Sequence, residues 1–310
     1  MTPEALPELA ALGCAVLWAI NALLLRAQAD RIPPATMNAT RCAVAGVLFL
    51  LLLPFDPHGG GGWRASAAEL AALGGSVAVG IGVGDTLYLI ALKEIGIARA
   101  MALSGVFPLT TLAWEAVLLA RPPEASLAGG AVLVAAGVVL LAREPDQARP
   151  AGWRAGAGRG LEQIAPLAPA RLGLGVALSL IAAAFWGLSS VLLKPGIAHL
   201  TLIQANAVRM PLVALLLLVC RILPSRTEGL RAFDRRSFLV VAATGLLGMG
   251  LGAYLFVYAI GHTAVTKAVT LTSTAPVFGL LIGAATGRER LTARLLLGMA
   301  CCMGGVWAVL

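Results

Sequence analysis

Residues 80–91 of this sequence read Gly-Ile-Gly-Val-Gly-Asp-Thr-Leu-Tyr-Leu-Ile-Ala, and residues 248–259, which lie 168 positions later, read Gly-Met-Gly-Leu-Gly-Ala-Tyr-Leu-Phe-Val-Tyr-Ala. The same offset aligns further residues: Trp18 with Trp186, Asn38 with Asn206, Arg41 with Arg209, Pro108 with Pro276. A composition rich in Leu and Ala aligns those two residue types by chance, but it does not align Trp, Asn, Arg and Pro in one register. The chain is therefore predicted to be a tandem duplication.

The composition predicts a membrane protein. Of the 310 residues, 59% are hydrophobic and only 12% are charged, and the mean hydropathy is +0.89. Soluble domains carry about 25% charged residues, so this chain has too few to cover a soluble surface. A helix needs about 20 mostly apolar residues to cross a bilayer. Such spans are predicted near 6–25, 34–53, 68–92, 98–119, 126–142, 172–193, 201–222, 237–260, 265–286 and 291–310.

The number of spans in each half sets the relation between the halves. We expect an all-α integral membrane protein with a first repeat at 1–142, a central cytoplasmic linker at 143–171 and a second repeat at 172–310. Each repeat has five spans, and because five is odd, the second repeat must cross the membrane in the opposite sense. Inverted five-helix repeats are typical of secondary transporters, whose substrate site lies near the midplane between the repeats.

The positive charge of the chain is concentrated on one side of the predicted membrane. The net charge is +8, and 17 of the 23 Lys and Arg residues lie in the connections after the odd-numbered spans. Cytoplasmic loops are enriched in Lys and Arg, so these connections are predicted to be cytoplasmic and both termini to lie outside. The basic charge is thereby explained without nucleic acid. The five cysteines lie within spans and have no metal-ligand spacing, so we expect neither a metal nor a cofactor.

These repeated marks resemble the EamA-type transporters of the drug/metabolite transporter superfamily. The resemblance rests on Trp18 and Trp186 in the first helix of each repeat, Arg41 and Arg209 in the second, and the stretches that lead to Pro108 and Pro276. Before the last helix, Arg288-Glu289-Arg290-Leu291 is similar to the family's Gly-Glu-Arg-Leu signature. The resemblance implies ten helices and transport of small metabolites, with export as the direction.

The chain also departs from that family pattern. Arg121 stands in the first repeat where the signature acid would be, so the motif is degenerate there. The first helix lacks the embedded Glu with which the related small multidrug resistance proteins bind cations and protons. Described members of the superfamily mostly keep both termini in the cytosol, whereas the charge bias of this chain predicts the reverse.

Four ionisable residues, Arg41, Asp85, Glu115 and Arg209, are predicted to lie at membrane depth, where a charge is costly and by default functional. Arg41 and Asp85 share a depth and could pair. Ala253 replaces Asp85 in the second repeat, which leaves Glu115 as the acid that could reach Arg209. Either the arginines hold helices together, or at least one meets a substrate carboxylate, for which the guanidinium fork is suited.

Other candidates line the same predicted helices. Trp18 with Asn21, and Trp186 with Ser189, place one aromatic and one polar residue on a single helix face; each pair is either part of an interfacial belt or a wall for an apolar or cationic substrate. Pro108 and Pro276 are predicted helix kinks, either with local Ser/Thr hydrogen bonding or as gating hinges, and Thr272, whose carbonyl Pro276 frees, is a further substrate-binding candidate. The packing glycines of the fifth and tenth spans are Gly130, Gly137, Gly298 and Gly305.

These patterns together favour a secondary transporter of the inner membrane. We expect it to export a small amino-acid-like or amphipathic metabolite by alternating access, as a monomer or a homodimer in the lipid bilayer. The alternative is a non-transporting scaffold or regulatory protein with the same fold. An enzyme is not expected, because no constellation of His, Asp or Cys stands at membrane depth.

Overall fold

The computed structural model describes residues 5–26, 28, 32–56, 64–95, 100, 103–120, 124–142, 169–222, 234–285 and 292–309. These residues form ten helical units and no β-strand. The units are α1 (Ala5–Arg26), α2 (Pro34–Leu52), α3 (Ala67–Val77, Ala78–Gly84 and Asp85–Ile95), α4 (Phe107–Leu119), α5 (Ala125–Ala142), α6 (Pro169–Gly196), α7 (Leu202–Ile222), α8 (Arg235–Thr244, Gly245–Gly252 and Ala253–His262), α9 (Val265–Thr272 and Ala275–Ala285) and α10 (Ala293–Val309).

The helices have the length and the surface of membrane spans. Five of the described helical stretches are long and apolar enough to cross a bilayer: Pro34–Phe55, Ala67–Ala91, Leu172–Gly196, Leu202–Val219 and Arg235–His262. Shorter apolar helices lie at Ala5–Asn21, Phe107–Leu119, Ala125–Leu140 and Leu296–Ala308. Large apolar side chains face outward, with Val117, Phe55 and Trp307 exposed by 72%, 80% and 83%. The prediction of an all-α membrane protein with ten helices in two inverted repeats is confirmed.

The third helix of each repeat contains a π-helical segment. In α3 it covers Ala78–Gly84, and in α8 it covers Gly245–Gly252, so the two segments correspond in the repeat. In α3 the backbone N–H of Asp85 donates to the carbonyl of Gly80, five residues earlier. The glycine pattern of these two segments does not by itself specify the π-helical widening. Such segments are rare and frequently occur at functional sites.

Each repeat packs against the other through corresponding helices. Helix α1 of the first repeat lies against α8 of the second, and α6 of the second repeat lies against α3 of the first. The second helices of the repeats, α2 and α7, pack together, as do the last helices, α5 and α10. A Cβ added at Gly137 would lie 2.6 Å from the carbonyl oxygen of Gly298, and one at Gly305 would lie 2.7 Å from that of Gly130. The last two helices therefore touch through their glycines within one chain.

The predicted proline kinks correspond to breaks just before each proline. Pro108 lies in the first turn of α4, after a turn at residues 105–106, and Pro276 follows Ala275 at the start of the second part of α9. Proline suits the first turn of a helix, because no N–H is needed there. The described parts of the fourth and ninth helices are shorter than the uninterrupted spans that hydropathy predicts.

Some predicted features lie outside the described residues. These are the central linker, apart from residues 169–171, the motif at 288–291, and Arg121.

Candidate functional site: two helix crossings between the repeats

The first crossing is where α6 passes over the π segment of α3, and we name it the Asp85 crossing. The indole N–H of Trp186 donates to Asp85 Oδ1 at 2.9 Å. One turn further along α6, Ser189 and Ser76 bond each other in both directions, because each hydroxyl donates to the other residue's carbonyl at 2.8 Å. Both contacts join the second repeat to the first.

Glycines make this crossing possible. A Cβ added at Gly80 would lie 2.3 Å from Ser189 Oγ and 2.6 Å from Ser189 Cβ. A Cβ at Gly84 would lie 2.9 Å from the indole ring of Trp186. Since Cβ atoms essentially never approach that closely, α6 can come this near only to a glycine surface.

The second crossing, where α1 passes over the π segment of α8, is the pseudo-symmetric counterpart, and we name it the Arg41 crossing. Trp18 faces Gly252, and Asn21 faces Gly248, with a Cβ at Gly248 lying 2.6 Å from Asn21 Nδ2. With its amide oriented to satisfy both neighbours, Asn21 donates to the Thr244 carbonyl at 3.1 Å and accepts from Arg41 Nη2 at 2.7 Å. Thr244 corresponds to Ser76, so the same backbone position receives the cross-repeat hydrogen bond in both crossings.

Several side chains at the Asp85 crossing are only partly buried. Asp85 and Tyr88 lie deep within the molecule, yet both keep part of their surface exposed, as does Trp186. The ring centroid of Trp186 lies 5.1 Å from that of Tyr88 and 6.0 Å from that of Phe107. Tyr88 and Phe107 thus pack against the indole that binds the carboxylate, and this carboxylate is partly exposed and accepts one side-chain hydrogen bond.

The two arginines are buried and bonded to amides. Arg41 is 6% exposed and donates to Asn21, and Arg209 is 4% exposed and donates from Nη1 to Asn206 Oδ1 at 3.3 Å. Each has a buried Nε without a hydrogen-bond partner among the described residues. In this conformation Arg41 joins α2 to α1, Arg209 bonds within its own helix, and both present little surface to a ligand.

The charge pairs that depth suggested do not form. Asp85 interacts electrostatically with Arg41, but the two make no ion pair within 4.0 Å, because Asp85 binds Trp186 and Arg41 binds Asn21. Glu115 accepts a hydrogen bond from Thr266 and makes no ion pair with Arg209. Depth along a helix gives no angular position, so a shared depth does not by itself bring two side chains into contact.

Thr272, a substrate-binding candidate, is buried and bonded within its own helix. It is 1% exposed, and its hydroxyl donates to the carbonyl of Val269 at 2.9 Å. Ser273 and Thr274 similarly donate to carbonyls of their own helix. The break in α9 is thus locally hydrogen-bonded, in line with the first of the two interpretations considered for the proline kinks.

Four polar contacts join the repeats at one membrane face, and we name this the terminal face because α1 begins there and α10 ends there. Each contact pairs an acid of the first repeat with a residue of the second: Glu8 with Lys267, Glu69 with His199, Asp56 with Thr201, and Glu115 with Thr266. All four acids lie at the terminal-face end of their helices or just beyond it. The repeats are therefore held together across this face.

Polar side chains also satisfy the backbone of the π segment in α3. The amide of Asn38 donates to the Ile81 carbonyl at 3.2 Å, and the hydroxyl of Thr86 donates to the Gly82 carbonyl at 2.6 Å. Inside a bilayer, irregular backbone persists only where such partners or a cavity are present.

Sequence reasoning missed several contributors to the site. Ser76 and Thr244 occupy one repeat position and were not singled out, although the 168-residue offset aligns them. Tyr88 and Phe107 were also missed, since apolar spans contain many aromatic residues without function. No group of three or more His, Cys, Asp or Glu residues in the described part of the chain could hold a metal ion.

Comparison with known proteins agrees with this architecture. A solved structure described only as "Crystal structure of protein" superposes with a TM-score of 0.76 over 98% of this chain and 96% of its own, at 19% sequence identity, which shows a shared fold. No curated protein matches the sequence significantly. The EamA-like transporter family matches twice, over residues 5–143 and again over 173–310. Because these two matches cover most of the sequence, the chain belongs to the EamA-like transporter family.

Proposed function

We propose that this protein is a secondary carrier that exports a small amino-acid-like or amphipathic metabolite by alternating access between its two repeats. The observation that carries the proposal is the Asp85 crossing, where an accessible carboxylate lies deep in the bundle at the contact between repeats. An ionisable group at that depth is costly and is retained where it serves an ion or a substrate.

The terminal face supports the alternating-access part of the proposal. Its four acid contacts each join one repeat to the other, so a rocking motion of the repeats would break them as a group. In inverted-repeat carriers, access alternates by rigid-body movement of one repeat against the other around a central site. The described conformation corresponds to the state closed at the terminal face.

The orientation proposed here follows the charge bias. With 17 of 23 Lys and Arg residues in the odd-numbered connections, that side is assigned to the cytoplasm and the terminal face to the outside of the inner membrane. The closed terminal face then separates the site from the exterior, which is the state in which an exporter loads. The central linker at 143–171 is cytoplasmic in this arrangement.

A cross-link across the terminal face tests the proposal without a known substrate. The double variant Glu8→Cys with Lys267→Cys is reconstituted into vesicles loaded with a total metabolite extract, and release is followed by mass spectrometry. Release of at least one metabolite should stop when the pair is oxidised to a disulfide and return on reduction. Each single cysteine variant, treated identically, is the matched control and should keep releasing it.

Two results would count against this proposal, the first against a carrier and the second against alternating access through the terminal face. Wild-type vesicles that release nothing beyond protein-free vesicles would favour the scaffold alternative. Release that continues unchanged in the fully cross-linked double variant would mean that the terminal face does not open during transport.

A further inference from the structure

The Asp85 crossing carries a more specific inference, which rests on the proposed carrier function and names one end of its substrate. We infer that Asp85, Trp186, Tyr88 and Phe107 form a subsite for a protonated amine. The subsite would hold the amino group of the exported metabolite at the contact between α3 and α6.

The first step concerns the free oxygen of the carboxylate. Trp186 occupies Asp85 Oδ1, and Asp85 Oδ2 has no hydrogen-bond partner among the described residues. That oxygen is not one of the buried unpartnered atoms of the structure, so it keeps some accessible surface. An ionised carboxylate accepts about four hydrogen bonds, so this one has unused acceptor positions.

The second step concerns the rings. Trp186 lies within 5.1 Å of Tyr88 and 6.0 Å of Phe107, centroid to centroid, and the Phe107 ring meets it edge-on at 79°. A cation held within about 6 Å of an aromatic face is attracted by the ring quadrupole. A primary ammonium on Asp85 would donate to the free oxygen while its alkyl or aryl portion packs against these rings.

The third step concerns Arg41, whose positive charge opposes such a ligand. Arg41 interacts electrostatically with Asp85 but makes no ion pair with it, since Arg41 is directed to Asn21 of the other crossing. Coulomb energy falls with distance, so an ammonium in hydrogen-bond contact with the carboxylate interacts more strongly than the more distant guanidinium. The arginine therefore leaves the carboxylate available for a ligand.

The same position in the second repeat shows what the subsite requires. Ala253 replaces Asp85, Phe256 replaces Tyr88 and Ala275 replaces Phe107. Trp18, the counterpart of Trp186, packs against Phe256 with ring centroids 5.3 Å apart. The acid and one ring are absent there, so only one of the two pseudo-equivalent crossings can bind an amine.

Binding to the purified full-length protein in detergent tests the inference. The probes are 2-phenylethylamine, which is cationic at neutral pH, and 2-phenylethanol, which has the same size and no charge; affinity is measured by calorimetry. The wild type should bind the amine at least about tenfold more tightly than the alcohol, as expected for a hydrogen bond to an ionised group. Asp85→Asn, which keeps an acceptor for Trp186, should abolish that preference.

Glu124→Gln is the matched control, because it removes one acid from an exposed position of the same repeat. It should keep the tenfold preference for the amine. If Asp85→Asn does not fold, Phe107→Leu replaces it, and this variant should weaken amine binding several-fold more than alcohol binding.

Equal affinity of the wild type for the two probes would overturn the amine subsite, and so would a preference that survives in folded Asp85→Asn. If that variant kept amine binding while transport lost its dependence on pH, Asp85 would be a proton site instead. The binding assay needs no transport and the cross-link assay needs no known ligand. Failure of the subsite and failure of the carrier function are therefore distinguishable.

Discussion

The two helix crossings share a backbone and differ in charge. In both, the first helix of one repeat passes over glycines in the π segment of the other, and a side chain bonds the same backbone position, the carbonyl of Ser76 or of Thr244. At the Asp85 crossing this side chain is Ser189, and the neighbouring Trp186 binds a carboxylate. At the Arg41 crossing the side chain is Asn21, which binds a guanidinium.

This difference shows how a duplicated scaffold becomes an asymmetric site. Asn21 is long enough to reach both the Thr244 carbonyl and Arg41, whereas Ser189 reaches only Ser76, and Arg209 accordingly bonds Asn206 on its own helix. The Arg41 crossing is thus tied to α2 by a charged hydrogen bond. The Asp85 crossing keeps a partly exposed carboxylate with one oxygen that has no partner among the described residues, and a ligand can meet it there.

Substitution of a glycine where the helices cross is expected to cause the largest loss of stability. In Gly80→Leu the new Cβ would collide with Ser189 Cβ, which cannot rotate away, so α6 must move. We expect a loss of stability of about 3 kcal/mol or more, at the upper end of overpacking costs. Thermal unfolding in detergent measures it. Gly129→Leu is the control, since a Cβ there meets nothing within 4 Å.

Two outcomes would argue against this account of the crossing. Gly80→Leu could unfold at the wild-type temperature, in which case α6 does not depend on close approach. Alternatively, Gly129→Leu could lose as much stability as Gly80→Leu, in which case any leucine within these helices would be unfavourable and the crossing would not be special.

Substitution of the residues whose side chains bridge each crossing is expected to cause the next largest loss of stability. Asn21→Ala removes a hydrogen bond from buried Arg41, and Ser189→Ala removes one between neutral groups. Bonds to charged groups contribute about 1.5–3 kcal/mol and neutral ones about 0.5–1.5. Asn21→Ala should therefore lose about 1 kcal/mol more stability than Ser189→Ala in chemical or thermal unfolding. Equal losses would mean that Arg41 finds another partner once Asn21 is gone.

Hydropathy and the repeat were sufficient to predict the helices and their inverted arrangement, because membrane insertion depends on segment composition and the register depends on rare residues such as Trp18 and Trp186. They were also sufficient to select Asp85 and Trp186 as separate candidates. Their hydrogen bond could not be predicted, since it depends on α6 crossing to the third helix of the other repeat. The π segment adds a further rotation that no spacing of glycines encodes, and this rotation sets where Asp85 points.

Substitution of the two tryptophans is expected to give the smallest difference in stability, and it tests a single hydrogen bond. Trp186 donates its indole N–H to Asp85, whereas the indole N–H of Trp18 has no acceptor among the described residues, because Ala253 stands where the acid would be. Trp186→Phe should therefore lose a hydrogen bond to a charged group, and Trp18→Phe should lose only ring area. We expect Trp186→Phe to lower stability by about 1 kcal/mol more than Trp18→Phe, below the usual range because Asp85 is partly solvated.

The double variant Trp186→Phe with Asp85→Asn isolates this contact. If the hydrogen bond accounts for the difference, the cost of Trp186→Phe should shrink to that of Trp18→Phe once the carboxylate is an amide, since neutral hydrogen bonds contribute less. Trp18→Phe should cost the same with or without Asp85→Asn. A cost of Trp186→Phe that is independent of Asp85 would mean that ring packing against Tyr88 and Phe107, and not the carboxylate, holds Trp186 in place.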